Sequence, residues 1–406
     1  MVSMRAGLAS AVDRLPPTVL LCDPRFRCSH DAAMGRTKLY PVGSGRLEKI
    51  APALRRVFDV VEPGPNPVPR SLRTVPGLGE AGKLVEYLGP IVSAPTADGE
   101  KPVVLVDSVG PFPLIVGLLC ERLDVPFVVR LRGGMWKEFR DRAHTESFLR
   151  RHSHGRFKEL VRNRVLSLAD RILPVSPFLR TQIAYELEVD LERVRVVHNP
   201  LETDRFDATP EGRFKRAVGL DDDERVVSAI TSFNYQRKYE GIVHFAPAIQ
   251  RVLEAHSDWH FVVAGAGTAD EEGRKRIRER FDESVRDRVV FTGFYTPIEE
   301  LLVDADIALH LSFRDAGPMA VLEAQAARTP IVVNTGGGMA GLLDRSARET
   351  AVIENDDELY RSLNGFIEEP ERRQAVGERN RRHIEREFAP ETVATEFRDA
   401  IDDLLL

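Results

Sequence analysis

In the stretch DAGPMAVLEAQAARTP, residues 315–330, two carboxylates, Asp315 and Glu323, stand eight residues apart with Gly317 and Pro318 between them. The small-residue run behind them reads as a helix over 319–328. Pro318 suits the first helical position, because its ring presets φ and its missing N–H would have had no partner there. Gly317 lets the backbone approach a ligand. The free N–H groups of Met319, Ala320 and Val321, with the positive end of the helix dipole, then form a setting for phosphate. Two acids beside a phosphate need a different partner, and vicinal sugar hydroxyls give them one, since a carboxylate accepts several hydrogen bonds. A ligand carrying both diphosphate and sugar, a nucleotide sugar, satisfies the whole stretch.

A site of this kind hangs on a strand, a loop and a helix, and the chain is made of such units. In the first half, TVLLC (18–22), VFDVV (57–61), VVLVDS (103–108), VPFVVRL (125–131), RILPVS (171–176) and VRVVHN (194–199) read as buried strands, with helical patterns over 45–56, 113–123 and 177–187. RVVSAITS (225–232), WHFVVAG (259–265), RVVFTG (288–293), DIALHLS (306–312), PIVVN (330–334) and TAVIE (350–354) continue the series. The alternation predicts an α/β protein of two doubly wound, Rossmann-like parallel sheets with a cleft between them. Boundaries are expected at residues 1–200 and 201–387, with a polar hinge after Pro200. A break at Phe388–Pro390 divides the helical tail in two, and residues 388–406 are expected to cross back to the first domain.

Composition narrows the function. The 406 residues, 43% hydrophobic and 30% charged, suffice for two cores. A net charge of -6 excludes a general nucleic-acid binder. Cys22, Cys28 and Cys120 form no CxxC pair, which points to a reducing, cytoplasmic setting without disulfides or a zinc site. Asp13 and Arg14 interrupt the apolar run at the start, a poor signal peptide, and no segment is long and apolar enough to span a bilayer.

Three motifs invite over-reading. GLGEAGKL (77–84) has the spacing of a phosphate loop, but Leu84 stands where a magnesium-binding hydroxyl is required. Asp304 and Asp306 resemble a metal-binding acid pair, yet they straddle a helix end and a strand start, so no metal is expected there. Gly265 and Gly267 end a strand, either as turn glycines or to admit a phosphate.

DAGPMAVLEAQAARTPIVVNTGGG resembles the signature of the family 4 retaining glycosyltransferases of GT-B fold, with Asp315 in place of the first Glu and Glu323 at the second. ADRILPVSPFLR, VRVVHNPLETDRF, VVAGAGTADEE and VVFTGFYTPIEELLVDADIALHLS follow in the family's order. The resemblance covers most of the chain from about Asp107 onward. It implies that Glu323 binds ribose hydroxyls, while Asp315 and the backbone of Ala316, Gly317, Pro318 and Met319 hold the transferred sugar and diphosphate. Lys238, in SFNYQRKYEG, matches the lysine that neutralises the departing diphosphate, with Arg237 beside it. Phe294 and Tyr295 would flank the base, and Gly43, Ser44 and Gly45 match the N-domain glycine loop near acceptor and phosphates. The first domain would bind the acceptor and the second the donor. The implied reaction is a retaining, metal-independent hexosyl transfer from a UDP- or GDP-sugar co-substrate to a glycan, lipid-linked or small-molecule acceptor, with no cofactor.

Two departures stand out. Asp315 is one methylene shorter than Glu, which moves its carboxylate by about an ångström. Arg132, in RLRGG, replaces a frequent histidine and can hold an anion but cannot act as a neutral base. Residues 130–171 hold 12 Lys or Arg against 5 Asp or Glu, a local +7 that leaves -13 for the rest. This suits peripheral contact with anionic membrane, helped by Trp136, Phe139, Phe148 and Phe157, and it equally suits a solvated helix pair. A nucleotide-sugar epimerase of the same fold and a non-catalytic nucleotide-sugar-binding protein are the competing functions.

Overall fold

The computed structural model describes residues 38–42, 50–61, 86, 102–133, 148–207, 211–234, 236–267 and 270–405, the side chains of 40, 42 and 148–154 excepted. In chain order the first set of elements is β1 (Lys38–Val42), α1 (Ala51–Val57), β2 (Asp59–Val60), β3 (Val103–Val106), α2 (Pro111–Leu123), β4 (Phe127–Leu131), α3 (Phe148–Leu168), β5 (Arg171–Pro174) and α4 (Pro177–Glu186). The strands form one parallel sheet in the order β2-β1-β3-β4-β5. β3 and β4 are buried along their whole length, as a sheet covered on both faces requires.

The second set begins with α5 (Arg213–Ala217) and continues through β6 (Arg225–Ile230), α6 (Gln236–Ala255), β7 (Trp259–Ala264), α7 (Asp270–Arg278), α8 (Glu283–Arg286), β8 (Val289–Gly293) and α9 (Ile298–Asp304). Then come β9 (Ile307–His310), α10 (Met319–Ala326), β10 (Ile331–Asn334), α11 (Arg348–Ala351), β11 (Val352–Ile353), α12 (Asp356–Glu368), α13 (Pro370–Glu387) and α14 (Pro390–Ile401). Its sheet is also all parallel, in the order β11-β10-β9-β6-β7-β8. The order reverses between β6 and β9, which are hydrogen-bonded neighbours. In such sheets the ligand crevice lies beyond the carboxyl ends of the two strands that flank the reversal.

The tail breaks at Phe388 and Ala389, and α14 docks on the first sheet. Val393, Phe397, Ala400 and Ile401 share a core with Leu39, Leu54, Val103 and Val128, and full burial of such side chains contributes roughly 1.5–3 kcal/mol each. Arg171 on β5 bonds Asp403 just past α14. The hinge is fastened from the same side: Leu201 N donates to Phe388 O at 2.9 Å, and the His198 ring and amide both meet the Glu396 carboxylate.

Several sequence expectations need correction. VRVVHN is not a strand. Val194 makes one bridge to Ile172, and Arg195 and Val197 donate to the carbonyls of Ile172 and Pro174. The segment then becomes the hinge at Pro200, so no ladder continues. VFDVV is a strand only over Asp59–Val60, and not a buried one, since Val57 ends α1. KLYPV, absent from the expected strands, is β1 in the sheet interior. β2 pairs only with its Lys38 and Leu39, so Pro41 lies beyond the part bonded on both sides. TVLLC and the phosphate-loop lookalike at 77–84 lie outside the described residues.

Candidate functional site

β6 and β9 each end in a loop that leads into a helix, and the two helices bring the charged groups together. Lys238 lies on the first turn of α6, Asp315 on the loop after β9. Their side chains form an ion pair that spans the reversal point of the sheet. The pair is mostly shielded, with side-chain exposures of 24% and 13%. His310, the last residue of β9, adds a second contact to the same Asp315 oxygen, its Nε2 lying 3.2 Å from Oδ2. Gly241 permits this convergence, since a Cβ there would stand 2.3 Å from the Leu311 carbonyl oxygen.

Burial alone would raise the Asp315 carboxyl pKa, but the His310 hydrogen bond and the Lys238 charge outweigh it and hold the group well below its ordinary range. The folded value is depressed, so the stabilisation is complete above the unfolded value of about 4 and is lost as pH falls below it. Denaturant melts between pH 5 and pH 2.5 are expected to show a shallower acid decline in Asp315→Asn than in the wild type.

Pro318 is extended, with φ -69 and ψ 130, and caps α10 instead of opening it; the first helical residue is Met319. The Val321 amide, expected to be free, donates to Pro318 O at 3.2 Å, while those of Met319 and Ala320 lie at the amino end of α10, a setting that suits a phosphate. Gly317 packs against Val175, Ala316 is buried in the first sheet's core beside Val175 and Leu179, and Gly338 comes close to Phe178. The loops after β9 and β10 therefore press on the start of α4. Asn199 strengthens the junction: its side chain donates to Gly317 O at 3.4 Å and accepts from Arg130 at 2.6 Å. Arg130 is a buried guanidinium on β4 whose pKa burial, aided by Arg132, lowers to about 9.

Glu323 lies one turn into α10, where Arg205 bonds it at 3.0 Å. Arg205 also reaches Glu299 at 3.4 Å and sits over the Phe206 ring. Arg132 pairs with Asp107 at 3.2 Å at the carboxyl ends of β4 and β3. Phe294 projects into solvent, 80% exposed. Tyr295 turns the other way: its ring meets Phe214 edge-on and its hydroxyl donates to Glu300 at 3.0 Å. Burial, reinforced by Glu300, pushes that phenol up to about 12. Arg237 is half-buried next to Lys238.

Gly265 and Gly267 serve the close approach of two loops: added Cβ atoms would stand 2.2 Å from Thr231 O and 2.4 Å from Asn234 N. Asp304 and Asp306 are fully used within the fold. Asp304 accepts from the amides of Gly212 and Phe214, and Asp306 binds Arg225 and the Val226 amide. Among the described residues no three His, Cys, Asp or Glu side chains converge as a metal ion would need. Gly43, Ser44 and Gly45 lie outside the described residues.

Sequence reasoning missed His310, Arg205 and Asn199. His310 left one signal, a polar ring in the otherwise apolar strand IALH. Arg205 left none, because its partner is 118 residues away.

Residues 211–383 match the family model for glycosyl transferases group 1. The group 1 segment contains Lys238, His310, Asp315 and Glu323 and begins just after Arg205. An uncharacterized glycosyltransferase of Methanocaldococcus jannaschii is 27% identical over 180 residues, 43% of this chain and 44% of that protein. The lipopolysaccharide core biosynthesis mannosyltransferase LpcC of Rhizobium leguminosarum bv. viciae is 27% identical over 176 residues, 43% of this chain and 50% of its own length. The chain thus spans about half of each of these curated relatives. Among solved structures, HepE of Anabaena in complex with UDP-glucose has a TM-score of 0.64 at 15% identity, over 91% of this chain and 100% of that one. The fold is GT-B.

Proposed function

We propose that the protein is a glycosyltransferase that moves a hexosyl group from a UDP- or GDP-sugar to a glycan, lipid-linked or small-molecule acceptor, with retention at the anomeric carbon and without a metal. One observation carries the reading: a lysine and a carboxylate meet across the reversal point of the group 1 sheet, beside the amino end of α10. HepE, of the same fold, was solved with UDP-glucose, and LpcC is named a mannosyltransferase, which supports a nucleotide-linked hexose as donor.

The chemistry follows from where charge develops. As the bond between the anomeric carbon and the diphosphate breaks, negative charge grows on the leaving oxygens. Lys238 and the first amides of α10 stabilise that charge more than they stabilise the bound donor, which is what lowers a barrier. Asp315 accepts from a hydroxyl of the sugar and Glu323 from the ribose. The acceptor oxygen attacks from the face the diphosphate leaves, and its proton passes to the departing phosphate oxygen. No side chain is assigned as general base.

Incubation with a panel of UDP- and GDP-sugars, read as nucleoside diphosphate release with and without acceptors, tests the reading. Release of the diphosphate from one of the sugars supports it. A changed sugar on an intact diphosphate would mark an epimerase, and binding without either change a non-catalytic binding protein.

The acceptor side is proposed to meet an anionic membrane. Among the described residues no helix is long and apolar enough to cross one. On α3, Phe157 and Leu160 are exposed, and on α2 so are Ile115 and Leu118. Both helices connect neighbouring parallel strands and so run in the same direction. The exposed Arg164–Glu121 ion pair at 3.9 Å joins the two helices, and both apolar pairs lie about one and two turns before it. Exposed Arg156 adds positive charge beside Phe157, while Arg164 is offset by Glu121, so the basic excess of residues 130–171 as a whole is what suits anionic lipid. Flotation with anionic vesicles at low salt is expected for the wild type and lost in the double variant Phe157→Ser, Leu160→Ser. Failure of the wild type to float removes the membrane contact.

A further inference from the structure

His310 ends an apolar strand, is 6% exposed, and leaves its Nδ1 buried without a hydrogen-bond partner among the described residues. A buried imidazole with one unmet ring nitrogen costs stability, and the contact that its other nitrogen makes offsets that cost. That contact is with Asp315 Oδ2, the oxygen already paired with Lys238. The backbone between them is also held, since the Ser312 amide donates to the buried Asn334 side chain at 2.9 Å. Two partners on one oxygen, approaching from different elements, restrict rotation of the carboxylate about its Cβ–Cγ bond. Oδ1 is then the oxygen presented to a ligand. Lys238 alone could not do this, because it sits on a long flexible stem and its ammonium would turn toward a bound diphosphate.

We infer that His310 is a positioning residue for donor recognition: it holds the short Asp315 side chain so that one fixed oxygen meets the sugar, and thereby sets which sugar is accepted. The inference rests on the reading of Asp315 as the acceptor of a sugar hydroxyl. His310 touches no substrate itself, and its effect passes entirely through Asp315.

The test compares His310→Leu, His310→Gln, Asp315→Asn and the double variant His310→Leu, Asp315→Asn in the full chain. It measures kcat and KM for the donor turned over in the panel, and the affinities for UDP, UDP-glucose, GDP and GDP-mannose. His310→Leu is expected to lower kcat about ten-fold or more, the order of loss that a slightly misplaced group produces. It should flatten the preference for sugar-bearing over plain nucleotide while leaving the plain diphosphate affinity within about two-fold, since that affinity is common to all donors. His310→Gln keeps a donor near Nε2 and should retain most of the activity. Adding His310→Leu to Asp315→Asn should change nothing further, because a residue that acts only through another has no effect once the other is gone.

The inference is overturned if His310→Leu matches the wild type in kcat and in sugar preference. It is also overturned if the leucine variant loses as much in the Asp315→Asn background as in the wild type. A wild type that binds nucleotide but turns over no donor refutes the transferase reading alone. The sugar-dependent affinity ratio then judges His310: flattened in the leucine variant it supports the inference, and unchanged it overturns it.

Discussion

Lys238→Ala is expected to lower nucleoside diphosphate release by about 10²–10³-fold, the loss typical when one preorganised partner of a developing anion is removed. The side chain is mostly shielded and held beside Asp315, so its ammonium needs only a short turn to meet a bound diphosphate and is in place before the leaving group forms. The variant also leaves Asp315 with His310 as its one remaining named partner, in a site where an uncompensated carboxylate is costly. KM for the donor should rise less than kcat falls, because the interaction strengthens only as the bond breaks. Lys238→Arg retains charge but not shape and should recover a small part of the rate. Steady-state kinetics with a coupled assay for the released diphosphate provides the measurement. A lysine that merely props up the loop would give equal losses in stability and in rate.

Gly338→Ala is expected to damage both fold and function. A Cβ at 338 would stand 2.1 Å from the Ala316 carbonyl oxygen and 3.1 Å from Phe178 Cβ. Neither neighbour is a flexible tip that can swing away. The Gly338 amide already donates to Asp315 O at 2.7 Å, so the two loops cannot separate without breaking that bond. Gly338 has φ -80, so the penalty is one of space alone. Overpacking of backbone against backbone costs about 3 kcal/mol, the upper part of the usual range. A domain of this size should then melt roughly 6–12 °C lower. Displacing Asp315 by about an ångström should also reduce turnover about 100-fold. Gly341→Ala is the control, since a Cβ there meets nothing within 4 Å and the residue is exposed. It should stay within about 0.5 kcal/mol of the wild type. Differential scanning calorimetry of both variants checks the pair of expectations.

The alternation of β-branched runs with amphipathic segments made most of both sheets legible, because a parallel sheet covered on both faces leaves no polar side to its strands. VVLVDS, VPFVVRL, WHFVVAG and DIALHLS contain β3, β4, β7 and β9. What misled was local chemistry overruled by tertiary context. KLYPV was not among the expected strands and forms one because the second neighbour leaves Pro41 unpaired, while the valines of VRVVHN argued for a strand where the chain must turn into a hinge. In the site, a glycine and a proline between two acids were enough to suggest an anion and a hydroxyl-bearing ligand. The pairing of Lys238 with Asp315, 77 residues on, is a product of strand order. So is the capture of Glu323 by Arg205. Neither partner could be read from spacing, because both depend on which strand ends lie side by side.

Glu323 also differs from a freely offered acceptor, since Arg205 already holds one of its oxygens. Ribose hydroxyls would have to compete with the guanidinium, which lies partly exposed over Phe206.

A sugar nucleotide is expected to lie across the ends of β6 and β9. A crystal structure of the full chain with bound UDP-glucose or GDP-mannose tests it most directly. The diphosphate is expected within hydrogen-bonding distance of Lys238 Nζ and the Met319 and Ala320 amides, with a sugar hydroxyl on Asp315 and the ribose on Glu323. A nucleotide bound elsewhere, with the Lys238–Asp315 pair undisturbed and facing only solvent, would contradict it.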